Sequence, residues 1–281
     1  MTTNQALFFS NAKNKKEFIK MLPCHLENNG IEVASAVDDA DSIIIQWAMK
    51  KANTRSNVVV IGEDIDLLVI LTALTPRKHE IFFLKPAKGP INDDQLFSSR
   101  QSLHSKMKSS IMFIQAFSGC DSTSSFYNHG KTKLYNLLYR DKNLRKIVNV
   151  YNKPNASMQD ICTTGRDILL RVYNAPPTIT SLNEYRFSIY KKKARSAKAV
   201  DMRSLCPTED AADQHLKRVY SQVQYWHGRR LNIPDWGWNV ENNLLEPVQI
   251  LKAPAPAILI NNIFCRCKKK CGAKCTCKKL G

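Results

Sequence analysis

The spacing of apolar positions changes along the chain, and each change predicts an element. Residues 14–29, NKKEFIKMLPCHLENN, set charged against apolar side chains at roughly helical spacing, with Pro23 predicting a kink or a break inside that helix. Ile31, Val33, Ser35 and Val37 then alternate with other residues as a short strand does. Asp38 or Asp39 stands where it can cap a helix over Ser42 to Met49. Val58, Val59, Val60 and Ile61 form an unbroken β-branched run, the pattern of a strand buried on both faces of a parallel sheet. It ends at Gly62, and a helix over Leu67 to Leu74 follows. A strand over His79 to Leu84 comes next, then a helix over Ile111 to Phe117 that leads into the turn Ser118-Gly119-Cys120-Asp121. Past that turn strand signals fade, and helical patterns take over at Leu134 to Tyr139, Ser157 to Tyr173 and Ala211 to Trp226. Lys191 to Arg203 is basic with little apolar content and reads as a loop or linker, and residues 234–238 mark another irregular segment. Strands alternating with helices in the first half imply an α/β fold built on a parallel sheet. The chain divides into residues 1–140, a mostly helical extension over 141–260 and a cysteine-rich tail over 261–281.

Composition narrows the class of partner. Lysine and arginine number 42 against 24 acidic residues, a formal charge of +18, which favours a polyanion such as nucleic acid. The start, MTTNQALFFSN, lacks the charged and apolar blocks of a secretory signal, and the longest apolar runs, such as Leu67 to Leu74, are too short to span a bilayer. A soluble, intracellular protein follows, with no membrane partner. Cys24, Cys120, Cys162 and Cys206 are scattered, whereas Cys265, Cys267, Cys271, Cys275 and Cys277 crowd the end of the chain, which in a reducing compartment points to metal rather than disulfides.

The acids carry the candidate chemistry. Asp39 and Asp41 follow one predicted strand, Asp64 and Asp66 follow the next, and Asp121 follows a helix; ligands of open α/β sheets gather at the carboxyl ends of strands. Converging carboxylates repel one another unless a cation offsets their charge, and hard divalent cations take oxygen ligands, so such a cluster favours metal. The plainer account of each acid taken alone is a helix cap, a first-turn acid on a helix dipole, or a turn residue. Asp121 stands apart in that only Asp141 joins it among the acids between Gln95 and Asn152.

Asp39-Ala40-Asp41, Gly62-Glu63-Asp64-Ile65-Asp66-Leu67-Leu68 and Gly119-Cys120-Asp121-Ser122, in that order, resemble the successive acidic motifs of PIN-like and flap-endonuclease-type nucleases. The likeness is greatest to the PIN-like proteins of animal genomes, many of them repetitive like mobile-element derivatives. It implies a PIN-like domain over residues 1–140 in which Asp39, Asp41, Asp64, Asp66 and Asp121 hold two Mg²⁺ or Mn²⁺ ions for phosphodiester hydrolysis. It also implies that Gly130, Lys131 and Lys133, at the start of a predicted helix, meet a nucleic-acid backbone where the family carries a helical hairpin. Complete members begin with a further aspartate-bearing strand. The acids before Val37 are Glu17, Glu27 and Glu32, none of which matches it, so the resemblance implies a truncated start or a partner chain that supplies the strand. A missing strand would leave a sheet edge exposed.

The tail reads C-x-C-x3-C-x3-C-x-C from Cys265 to Cys277, with Lys268, Lys269 and Lys270 among its basic residues and no acid. Thiolates at this density are natural Zn²⁺ ligands, and nearby lysines favour the thiolate form. The pattern resembles the first half of the tesmin-type CXC domain, which implies zinc and DNA contact. The six histidines show no mutual ligand spacing, and Trp226, Trp236 and Trp238 read first as core anchors, with base stacking as their other use. Lys191, Lys192, Lys193, Arg195 and Lys198 form a solvated linker or a nuclear-import patch. Two functions are thus expected: a metal-dependent nuclease acting on DNA in the nucleus, weakened by its missing acid, or a non-catalytic DNA- or chromatin-binding protein.

Overall fold

A computed structural model describes residues 4–36, 39–87, 89, 93–101, 103–195, 200–242 and 244–252. Helices α1 (Gln5–Ser10) and α2 (Ala12–Asn28) come first, then α3 (Asp41–Ala52), β1 (Val58–Ile61), α4 (Ile65–Leu74), β2 (Ile81–Lys85), β3 (Gln95–Ser98) and α5 (Ile111–Phe117). The second half holds α6 (Lys131–Arg140), α7 (Lys142–Ile147), α8 (Met158–Val172), α9 (Leu182–Ala194), α10 (Glu209–Trp226) and the hairpin β4 (Trp238–Glu241) and β5 (Leu244–Pro247). No helix among the described residues is long and apolar enough to cross a membrane.

Several expectations shift. Helix α2 runs through Pro23 instead of breaking there, and none of its residues is buried. Residues 31–36 form no strand, and Val37 and Asp38 lie outside the described residues. The expected parallel sheet is mixed: β1 pairs with β2 in parallel, Val60 opposite Phe83, whereas β2 pairs with β3 antiparallel, Phe83 opposite Phe97. Helix α4 provides the crossover that a parallel pair requires, and the chain from Lys85 to Gln95 is too short to provide a second one. Strand β1 is the sheet's edge, so its apolar run is buried on one face: Val60 points inward while Val59 and Ile61 are exposed. Lys191 to Ala194 belong to α9 and not to a linker.

One apolar core runs from Ile45, Leu67, Ile70 and Phe83 through Phe113 and Phe117 to Ile161, Leu169, Leu216 and Val223. The helical second half therefore packs onto the same core as the sheet. Helix α10 carries most of that contact. Thr208 caps its start, and Ala212, Leu216, Val219, Tyr220 and Val223 recur on a buried face against α5 and α8. Several polar groups on the same helix are satisfied at depth, although Tyr225 Oη is buried without a hydrogen-bond partner among the described residues. Tyr220 Oη donates to Lys153 O at 2.8 Å, and Gln224 Nε2 donates to Tyr151 O at 2.6 Å. His215, 3% exposed, has Nε2 3.1 Å from Phe117 O and Nδ1 3.3 Å from Ser124 Oγ, so it bridges α5 to the loop after it.

Two stability predictions follow from this packing. Gly165 of α8 faces α10 so closely that an added Cβ would lie 2.2 Å from Leu216 Cδ2 and 2.6 Å from Tyr151 Oη. Gly165→Ala should cost about 1–3 kcal/mol of overpacking, read as a lower urea midpoint with unchanged slope. Burial, and secondarily the charge of Arg218, pushes the His215 pKa down to about 4, with the Phe117 carbonyl opposing the shift. The unfolded chain then binds the extra proton between about pH 6.5 and 4. This contribution is present above pH 6.5 and lost as pH falls through that window, by about 3 kcal/mol in all. His215→Gln should flatten that part of the stability curve; an unchanged slope would refute the assignment.

Candidate active-site cleft

Each acid is placed by a local feature that its sequence dictates. Asp39 Oδ1 accepts from the Asp41 N–H at 3.2 Å, but the cap position of α3 is Ala40, which makes no side-chain bond, so Asp39 precedes the helix and, contrary to expectation, does not cap it. Strand β1 ends through Gly62, and Asp64 then caps α4, its Oδ1 accepting from the Asp66 N–H at 2.8 Å. Asp66, in the first turn of α4, is half-buried and accepts a hydrogen bond from Gln115 Nε2 on α5. Asp121 sits at the tip of a tight turn closed by mutual backbone bonds between Cys120 and Thr123, both 3.2 Å. Gly119 makes that turn possible. It has φ +108, and a Cβ there would lie 2.9 Å from Ser125 Cβ. Thr123 Oγ1 donates to Ala116 O at 2.6 Å, and Ser122 Oγ donates to Gln222 Oε1 at 2.6 Å, so α5 and α10 both hold the turn.

These three segments meet. Asp39, Asp41, Asp64, Asp66 and Asp121 all line one cleft of about 730 Å³. Their fields overlap within it. Burial first, then the charges of Asp39, Asp64, Asp66 and Asp121, push the Asp41 pKa up to about 7. Burial also raises Asp66, against the Gln115 hydrogen bond that lowers it; Asp64 and Asp121 add to the rise, and Lys131 opposes it. Only Asp64 among these acids is a helix cap, and its place at the start of α4 is compatible with its also lining the shared cleft.

The donor set suits a hard divalent cation: every group is a carboxylate oxygen, and the mutual repulsion is of the kind a cation offsets. Among the described residues, no three His, Cys, Asp or Glu side chains already stand together as a metal-holding group. The acids thus share a cleft without forming a ready coordination sphere.

The second half of α10 and the chain beyond it line the same cleft, through Arg218, Tyr225, Arg229, Arg230 and Trp238. Arg229 is braced by bonds from its guanidinium to Asn152 O at 2.9 Å and Gln224 Oε1 at 2.5 Å, and the Arg230 guanidinium lies 4.4 Å from the Tyr225 ring centroid. Sequence reasoning missed these cations and Gln115. The paired arginines just past a helix end were the one signal for them. Trp226 is buried and Trp236 stacks on Tyr220 at 4.7 Å, as core anchors do, while Trp226 and Trp238 both line the cleft.

The expected backbone-binding residues divide. Lys131 lines the acidic end of the site beside Asp64, Asp66 and Asp121, with Nζ donating to Gly119 O at 2.7 Å. Gly130 caps α6 without a side-chain bond. Lys133 Nζ instead lies 3.1 Å from His129 Nδ1, and the residue lines a separate hollow of about 520 Å³ with Arg140 and Arg171. Cys265, Cys267, Cys271, Cys275, Cys277, Lys268, Lys269 and Lys270 lie outside the described residues. No family model, no curated protein and no solved structure matches the chain.

If repulsion inside the cleft is real, removing one charge should help the metal-free protein. Asp41→Asn in chelator at pH 8 is expected to be about 1 kcal/mol more stable than wild type, a figure reduced for the solvent that screens a half-buried group. Mn²⁺ should then raise the melting temperature of wild type more than that of the variant. Equal responses would remove Asp41 from the cation site.

Proposed function

We propose that this chain is a divalent-metal-dependent nuclease of the PIN-like, flap-endonuclease type that cleaves phosphodiester bonds at the five-aspartate cleft. The observation that carries this reading is the meeting of Asp39, Asp41, Asp64, Asp66 and Asp121, from three separate segments, in one cleft that Arg218, Arg229 and Arg230 also line. Structural caps alone would not require the acids to face a common space. Asp39, Asp41, Asp64, Asp66 and Asp121 would hold Mg²⁺ or Mn²⁺. When bound, these cations supply Lewis-acid stabilisation of the charge that develops on a phosphoryl group.

The chain's own residues do the rest. Gln115 fixes the direction of Asp66, and the bonds from Thr123 to Ala116 and from Ser122 to Gln222 fix Asp121. Arg229 and Arg230 draw a polyanionic backbone across the acids, a contact that positions a strand without reading its sequence. The formal charge of +18 supplies attraction at longer range. Cys265, Cys267, Cys271, Cys275 and Cys277 are proposed as Zn²⁺ ligands of a separate tail that adds DNA affinity.

The test is cleavage of end-labelled single-stranded, duplex and flapped DNA in Mn²⁺ by wild type and by Asp64→Asn. Asparagine caps a helix as well as aspartate, so the variant should fold normally while losing a charged ligand. Its cleavage is expected to fall by about 100-fold or more. Salt-sensitive DNA binding equal in both proteins, with no cleavage by a cooperatively melting wild type, would establish the non-catalytic DNA-binding reading in its place.

A further inference from the structure

A second hollow, of about 680 Å³, lies on the other side of the Asp121 turn. It is continuous in its lining with the carboxylate cleft, because Asp121, Ser122, Arg218 and Trp238 border both. Past those shared residues its character changes. Phe126, Pro207, Ala212 and Pro247 make its walls apolar, the serines after Asp121 give it hydroxyls, and Asp121 is the one acid among its described lining residues. Its volume falls within the range of pockets that enclose a small ligand.

Arg218 stands at the junction. The residue is 7% exposed, its guanidinium donates to Gly237 O at 2.9 Å and Val248 O at 2.7 Å, and it lies 5.7 Å from the Trp238 ring centroid. Among the described residues it makes no ion pair. Two carbonyl dipoles satisfy hydrogen bonds, but a guanidinium withdrawn from water still lacks the counter-charge that would offset its burial. A phosphate supplies such a charge, and a guanidinium is well shaped to receive one.

We propose that this junction binds one nucleotide of an unpaired strand, with its phosphate against Arg218 and its base in the second hollow beside Trp238 and Phe126. The inference rests on the nuclease reading for what happens to the neighbouring phosphate in the carboxylate cleft, but the binding it describes does not. A paired base is held by its complement and cannot enter the hollow without unstacking. The site therefore takes single-stranded nucleic acid, or an unpaired end of a duplex, in preference to continuous duplex. Aromatic rings accept any base on their faces, so sequence preference should be weak.

The test scans a single abasic unit along a short fluorescein-labelled oligothymidine and measures binding by anisotropy to the full chain carrying Asp64→Asn, so that nothing is cut. One position should stand out, with binding weakened by about tenfold when its base is missing. Trp238→Ala should weaken the intact oligomer to a similar degree and abolish the abasic penalty at that position, and Trp238→Phe should restore the penalty. A blunt duplex of the same length should bind more weakly than the single strand. A flat abasic scan overturns the base site, and so does a penalty that persists in Trp238→Ala, which would mean that the substitution acts only by loosening Arg218. If wild type cleaves DNA and Asp64→Asn does not while the scan is flat, this inference fails and the nuclease reading stands. If the scan is peaked and wild type cleaves nothing, the nucleotide site stands and the nuclease reading fails.

Discussion

The burial of α10 between α5 and α8 sets the position of nearly everything around the cleft. Each fully buried aliphatic side chain on its inner face contributes about 1.5–3 kcal/mol, and Leu216, Val219 and Val223 lie side by side there at 0% exposure. That packing leaves the helix little freedom to slide, and the helix passes its rigidity on through polar bonds. Gln222 holds Ser122 and His215 faces Ser124, so the turn that carries Asp121 is located from a helix a hundred residues later in sequence. Arg218 of the same helix holds the carbonyls on either side of the β4–β5 hairpin and so places Trp238. The Asp121 turn and the β4–β5 hairpin both answer to one buried stripe.

That rigidity has something to oppose. Five carboxylates in one cleft repel one another, and their charges add to the burial that chiefly raises the Asp41 pKa. Local bonds offset part of the repulsion. Asp64 accepts a backbone N–H at the start of α4, where the helix dipole also favours negative charge, and Asp66 takes the Gln115 amide. Lys131 adds a positive charge near Asp66. Asp41 lacks any comparable side-chain donor among the described residues and takes the largest shift of the group, which makes it the carboxylate with most to gain from a cation.

Local periodicity made much of this fold legible. The runs Val58 to Ile61 and Ile111 to Phe117 match β1 and α5 end to end, because a strand bounded by glycine and a short apolar helix are set by near neighbours. The antiparallel partner β3, whose sequence is QLFS, has too few residues to show a period and is stabilised by its pairing with β2. Helix α9 was hidden by its lysines, which read as a solvated linker although Leu182 and Tyr185 bury its first turns. The hairpin β4–β5 gave no strand signal, since its side chains are mostly exposed and its place depends on Arg218 and the packing of Trp238.

The carboxylates and the cationic wall differ in legibility for the same physical reason. An acid that caps a helix sits at an element boundary, and boundaries are visible in sequence; Asp64 after Val58 to Ile61 and Asp121 after Ile111 to Phe117 could be placed by counting. Arg218 occupies the middle of an amphipathic helix, where the period says only which face is buried, and a charge falling near that face reads as an interruption of the pattern. Arg229 and Arg230 follow the helix end, where a cation is the ordinary complement to the dipole. Nothing in either local pattern reports that residues of α10 line the same cleft as the acids. That fact belongs to the long-range contact of α10 with α5 and α3, which joins residues separated by more than ninety positions and leaves no mark on the spacing of either.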